Sequence, residues 1–509
     1  MKKNGEFRSV GGVLLILLLG KCLSLAANQA YLSFFGAENE RLNIFSWALQ
    51  IPGYLFQSAG TALVSVVIPV YASLRATRRE REAGRFASNL LSVCTLFAAL
   101  VCAAGLCLSA VLPELTEFGE KAYASFCLRL VMPVVICYCL TCILQGLLQT
   151  AGRHAAAAAV NLPGGVLILL YLAFFARRYG VTGLLVTVVF GLFLQVVMLA
   201  VPARRAGFRY RPTLDLRDGT LRAAGRNCLP VLFGASAYQL SLLCNHTILS
   251  NVAPAWLSMF HLIQTILISL VTVVTTAVNS VAYPTLTALA ARGETEEYRR
   301  FLRGKMNLLI FLLVPLTLGL AVLGLPALRL LSLHGKMTQR DILTEYGFLL
   351  SGAGCIVFLG LKELADRALY ALHTTKLSAA ANALILLADL PLCWFLSRFT
   401  ALGAFGIPLG YSLSVAAGTL FLLWRLRKKL GGYGGGIAET LGKTLLSGAV
   451  MAGAAGGSFA LLSGPLSDTF FGRLCAVALS ALLGAAVFLL VSRALKAPPV
   501  MEQLRRKKA

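Results

Sequence analysis

The chain has 509 residues, of which 58% are hydrophobic and only 13% charged. A water-soluble domain has no surface on which to place so much apolar side chain. The net charge of +25 does not mark a nucleic-acid binder, because the basic residues lie in short clusters between long apolar stretches.

A membrane span needs about 20 apolar residues to cross a hydrocarbon core ~30 Å thick. On that measure the sequence predicts helices over 10–35, 43–72, 87–112, 123–149, 155–176 and 181–202. Further helices are expected over 226–250, 255–288, 304–332, 343–371, 377–397, 403–424, 441–463 and 472–494. The fold class is therefore all-α: a polytopic integral membrane protein with about fourteen transmembrane helices. At the start, Lys2 and Lys3, an apolar run and then Ala26 and Ala27 share the layout of a secretory signal and of a first transmembrane helix. Leu19-Gly20-Lys21-Cys22 looks like a lipobox, but a lysine directly before the cysteine fits that motif poorly. The segment is read as an uncleaved first helix.

The basic clusters orient these helices. Arg75, Arg78, Arg79, Arg81 and Arg85 follow the second helix, and Arg204, Arg205, Arg209, Arg211, Arg217, Arg222 and Arg226 follow the sixth. Others follow the eighth (Arg292, Arg299, Arg300, Arg303, Lys305) and the twelfth (Arg425, Arg427, Lys428, Lys429), and Arg505 to Lys508 close the tail. With both termini cytoplasmic, roughly 33 of the 46 basic residues fall on one side, as the positive-inside rule requires. The opposite loops carry Glu38, Glu40, Glu114, Glu117 and Glu120, while Arg177 and Arg178 break the pattern in one short outer loop.

The sequence also repeats. Ile68-Pro69-Val70-Tyr71 at the end of the second helix is matched by Tyr283-Pro284-Thr285-Leu286 at the end of the eighth, each before an Arg/Glu-rich linker. The link from the fourth to the fifth helix, ending at Asn161, resembles that from the tenth to the eleventh, ending at Asn382. This predicts a six-helix bundle over 1–202, a basic linker over 203–226 and a second bundle over 227–424. A second basic linker covers 425–440, two extra helices cover 441–494, and a basic tail covers 495–509. Parallel repeats of this kind place a substrate site where they meet, near the bilayer middle.

Charge inside an apolar helix costs at least ~2.5–3.5 kcal/mol and so faces a cavity or a partner. Lys21, Arg129, Lys362, Glu363, Asp366, Arg367 and Asp389 are such charges. Lys362 with Asp366, and Glu363 with Arg367, are four residues apart, which predicts two ion pairs forming a structural or gating network. Arg129, near the outer end of the fourth helix, is placed to snorkel to the headgroups. Lys21 has no carboxylate within a turn and shares a face with Ser24 and Asn28, which makes it the candidate for an anionic ligand. Gln57, Asn245 and Gln264 belong to the polar sets of the second, seventh and eighth helices, which could line one cavity or act as interhelical glue.

Other chemistry is thin. Cys137, Cys139 and Cys142 have no accompanying His or Asp and read as small packing residues, so no metal is expected. Of the five histidines, at 154, 246, 261, 334 and 373, only His246 and His261 lie among the polar helix sets. No phosphate-binding loop or catalytic constellation is present in the sequence, so neither enzyme activity nor a cofactor is expected. The small residues Ser447 to Gly457 of the thirteenth helix suit close helix packing or a shallow lipid groove.

Several stretches, in order along the chain, resemble the MurJ (MviN) family of lipid II flippases, in the superfamily that also holds the MATE exporters. They are Phe35-Gly36-Ala37, Ile51-Pro52, Leu128-Arg129 with Pro133, His334-Gly335-Lys336-Met337-Thr338, and Lys362 to Lys376 with Arg367, Tyr370 and Thr375. The resemblance implies a two-lobed, fourteen-helix protein of the bacterial inner membrane, surrounded by membrane lipids. Its substrate would be an undecaprenyl-diphosphate-linked glycan, moved from the inner to the outer leaflet by alternating access. It also implies a cationic cavity with arginines on the first, second and eighth helices, an acidic residue opening the second, and a lipid groove on the last two helices. Lys21 falls at the first of those arginines, while Ala27, Phe56 or Gln57, and Leu262 to Thr265 fall at the others, and Asn43 replaces the acid. Two alternatives stay open. A cation-coupled MATE-type small-molecule exporter would need an intramembrane acid such as Asp389. A non-transporting scaffold would instead bind the cell-wall synthesis machinery through its basic loops.

Overall fold

The structure, a computed structural model, describes residues 2–54, 70–71, 74, 80–215, 217–332, 336–372, 374–464 and 469–499. Among these residues every regular element is helical. The reason is the solvent: in hydrocarbon each backbone N–H and C=O must be paired within its own segment, which a helix does. Among the described residues ten helices are long and apolar enough to cross a membrane, or eleven if one bent pair counts as a single span. The expected count of fourteen is not confirmed on that measure; half of the second expected span, residues 55–69, lies outside the described residues.

The chain divides into two compact units, Met1–Leu262 and Ile263–Ala509. In the first, α1 (Lys2–Phe35), α2 (residues 40–54) and α3 (Glu80–Leu108) are followed by α4 (Lys121–Val131) and α5 (Val134–Thr150). Then come α6 (His154–Ala158), α7 (Leu162–Phe174), α8 (Ala176–Arg205), α9 (Gly219–Val252) and the start of α10 (Leu257–Ala291). The second unit holds the rest of α10, α11 (Thr295–Ser332), α12 (Gln339–Gly352), α13 (Cys355–Ala371), α14 (Thr375–Phe399), α15 (Gly406–Leu430), α16 (Ile437–Ser463) and α17 (Phe470–Ala494).

The helix ends follow local chemistry. Asp218 starts α9 by accepting from the backbone N–H of Thr220 at 2.8 Å and of Leu221 at 3.3 Å. Thr338 and Asp341 form a reciprocal capping box on α12, so that helix begins four residues before its expected start at 343. One span expected to be continuous is bent, with Gly354 at the 43° bend between α12 and α13, whereas Lys121–Thr150 forms a single span in which Pro133, which lacks an N–H, only separates α4 from α5. Within α8, Gly180 takes φ +57°, open to glycine but costly for other residues, and its carbonyl accepts from the Tyr171 hydroxyl at 2.6 Å.

Large apolar side chains cover the outside of both units. Phe174, Leu387, Leu461 and Phe471 are all more than two-thirds exposed, which suits a surface that meets lipid tails and would be intolerable in water.

Candidate functional site

The first unit contains a polar ladder along one face of α2. Asn43, Ser46, Gln50 and Tyr54 recur at helical spacing and meet the 253–262 segment and α9. Asn43 Nδ2 donates to Ala37 O at 2.9 Å and Ala255 O at 3.1 Å, and its Oδ1 accepts from Ser258 N at 2.8 Å. The Ser46 and Ser258 hydroxyls are 2.9 Å apart, Gln50 bonds the His261 ring, and the Tyr54 hydroxyl lies 3.2 Å from His246 Nε2. The rings of His246 and His261 are 5.9 Å apart, with Phe260 against His246. All this is buried or nearly so, and it accounts for the two histidines that stood out in the sequence as part of a helix-joining network. Sequence reasoning missed Ser46 and Ser258; the signal was the Asn43-Ser46-Gln50 period, which it did not read as a stripe.

Lys21, Ser24 and Asn28 lie on α1 outside that ladder. Leu23 of α1 packs so closely on α7 that a Cβ on Gly165 would sit 2.7 Å from Leu23 Cγ. Lys21, two residues away and so some 200° round the helix, points away from α7. Its side chain is exposed, those of Ser24 and Asn28 are half-buried, and Lys21 forms no ion pair with any described residue. Asn245 is fully buried beside the histidine network, while Gln264 is buried on α10 in the second unit. Gln57 lies outside the described residues, as do His334 and His373.

The charged segment of α13 adopts one of its two expected pairings. Lys362 Nζ is 2.9 Å from Asp366 Oδ2, and both side chains are almost wholly buried. Asp366 Oδ1 also accepts from Ser378 Oγ of α14 at 2.5 Å, and the Tyr370 hydroxyl is 3.3 Å from that serine. Glu363 and Arg367 do not form an ion pair. Thr275 of α10 lies beside Glu363, while the Arg367 guanidinium stacks 5.7 Å from the Tyr283 ring centre. Helical spacing allowed the second pair, but both side chains find partners on α10 instead.

Arg129 is exposed and donates from Nε to Ser109 Oγ at 3.2 Å, beyond the end of α3. Asp389 is fully buried and accepts from Cys393 Sγ at 3.0 Å. Asp341 and Glu345, one turn apart on α12, are both buried and were not singled out in the sequence. Glu345 was legible there as an acid inside an expected apolar span.

The small residues of α16 serve more than one purpose. Ser447, Gly448, Met451 and Ala455 are buried, and a Cβ on Gly448 would lie 2.6 Å from Leu318 Cδ1 of α11. Gly453 and Gly457 face open space, with nothing within 4 Å. At the start of α2, Arg41 pairs with Glu120 at 2.9 Å, which holds the Arg41 guanidinium above its usual range.

A helical membrane protein with two units, buried intramembrane charges and a lipid-facing apolar coat belongs to the class of polytopic transporters. The solved structure of lipid II flippase MurJ in an inward closed conformation superposes with a TM-score of 0.74 at 18% identity, over 94% of this chain and 97% of that one. An inward-facing MATE multidrug transporter of the MOP superfamily gives 0.65 at 13% identity, over 82% and 99%. These likenesses define the fold. The family model for lipid II flippase MurJ matches residues 32–475, and the chain belongs to that family. The probable lipid II flippase MurJ of Thermotoga maritima is 25% identical over 482 residues, 93% of each chain. That of Bdellovibrio bacteriovorus is 26% identical over 194 residues, 38% of this chain and 37% of its own.

Proposed function

We propose that this chain is a lipid II flippase of the bacterial inner membrane, carrying the lipid-linked peptidoglycan precursor from the inner to the outer leaflet by alternating access. The observation that carries the reading is the family match across residues 32–475, supported by an exposed intramembrane lysine on α1. In this proposal Lys21 meets the substrate diphosphate, and Ser24 and Asn28, on the same face, donate hydrogen bonds. Gln57 and Gln264 are further donors. Asn245, sealed in the state described, contributes only after α9 moves. Asp366, held by Lys362 and Ser378, and Arg129 of α4, bonded to Ser109 beyond the end of α3, bias one conformation over the other. The termini and basic loops face the cytoplasm, where the Lys and Arg clusters also sit against anionic headgroups.

The test is transport by the purified chain in vesicles containing lipid II, read as arrival of the substrate at an impermeant reagent. A charge-assisted contact is worth ~1.5–3 kcal/mol, so Lys21→Ala should weaken apparent affinity by about 10- to 100-fold. Lys21→Arg should retain most transport. Unchanged transport in Lys21→Ala would remove Lys21 from the mechanism.

A further inference from the structure

Glu345 has the most demanding environment of any acid described. It is 0% exposed, and both carboxylate oxygens are buried without a hydrogen-bond partner. Its nearest charged neighbour is another acid: Asp341, one turn earlier on the same face and also buried. Asp341 is already engaged, since its Oδ2 accepts from Thr338 N at 2.8 Å in the capping box. Two turns after Glu345 the same face carries Gly352, where a Cβ would lie 2.8 Å from Leu267 of α10 and 3.4 Å from Pro408 of α15. Ile342, Phe348 and Leu349, three and four residues from Glu345 on the same helix, are buried with it, so its immediate helical neighbours besides Asp341 are apolar.

Among the described residues no basic group is at hand; His334, in the loop before α12, lies outside them. On α12 itself Arg340 is exposed, as are Lys336 before it and Arg329 in the last turn of α11. The 403–405 turn carries no charge. From Ile263 onward α10 has only Tyr283 as a titratable group, toward its far end. In α15, Tyr411 is buried near the start, and Arg425, Arg427, Lys428 and Lys429 occupy the last two turns. A bare carboxylate buried without donors or a counter-ion costs several kcal/mol, so something must neutralise this one. A metal cation would demand about six oxygen ligands. Among the described residues no group of three His, Cys, Asp or Glu is gathered to supply them.

We propose that Glu345 is a proton-binding site, and that its protonation selects the sealed conformation described here. A proton adds to one carboxylate oxygen to give a neutral acid, which can stay in the apolar pocket. Losing it leaves an anion beside Asp341, which is relieved only in a conformation that admits water or a donor. A proton that binds one conformation better than the other shifts the population toward it. The transport cycle is then linked to proton uptake and release at α12. The inference rests on transport by alternating access but not on the identity of the substrate.

The experiment is infrared difference spectroscopy of the full-length chain in vesicles without lipid II, stepped from acidic to alkaline pH. The wild type should lose one carboxylic-acid carbonyl band, and Glu345→Gln, which mimics the neutral acid, should lack that band. Transport by Glu345→Gln should fall at least tenfold and no longer vary with pH. Glu345→Leu, which fills the pocket with apolar atoms, should fold and melt no lower than wild type. The proposal is overturned if the band persists in Glu345→Gln, or if added sodium at constant pH, rather than protons, removes it. Because the spectra need no substrate, failure of the flippase reading would leave this result intact.

Discussion

Asn43 shows how one side chain can be read from sequence as a substitution and from structure as a joint. It stands where the resembling family has an acid, and its amide donates to Ala37 O and Ala255 O while its carbonyl accepts from Ser258 N. A carboxylate has the acceptor but not the donors. Asn43→Asp should therefore place an anion against two carbonyls and cost on the order of 2–4 kcal/mol, read as a lower thermal midpoint in detergent. No loss would mean that the α2 ladder does not hold the unit together. Lys21 could be picked out from the sequence because charge in an apolar span is conspicuous. Asn43, Ser46 and Ser258 are uncharged and common at helix ends, and only their partners give them a role.

At the scale of elements, burial decides which charged pairs matter. Lys362 and Asp366 are nearly sealed, so Lys362→Ala would strand the carboxylate and should cost about 3–5 kcal/mol. The double change Lys362→Met with Asp366→Leu should be near neutral for stability, though not for transport if the pair biases conformation. A thermal-unfolding comparison of the three proteins decides this. Close helix packing gives a second element-scale prediction. A Cβ on Gly410 of α15 would lie 3.0 Å from the backbone nitrogen of Cys393 on α14, an atom that cannot rotate away. Gly410→Ala should thus destabilise by about 1–3 kcal/mol, whereas Gly453→Ala, with nothing within 4 Å, should be neutral or slightly stabilising. Sequence composition marked small residues as important in α16 but could not assign them to faces. That requires the rotation of each helix against its neighbours. The same limit explains the failed Glu363–Arg367 pairing, since spacing along one helix says nothing of Thr275 or Tyr283 on another.

For the molecule as a whole, the fold was legible because the bilayer leaves few choices. Hydropathy located spans, and the Lys and Arg clusters predict an orientation with both termini cytoplasmic. The bend at Gly354 and the early start of α12 were not foreseen, although the capping pair Thr338 and Asp341 was visible in the sequence. What sets Glu345 apart is the lack of a hydrogen-bond donor to either carboxylate oxygen, which depends on neighbouring helices and is not written in the spacing along α12. The central claim, that this chain moves lipid II, is tested most directly by expressing it in a bacterium depleted of its own lipid II flippase, with membrane insertion verified. The account predicts that wild-type protein restores growth and cell shape and that Lys21→Ala does not. A well-inserted wild-type protein that fails to rescue would contradict it.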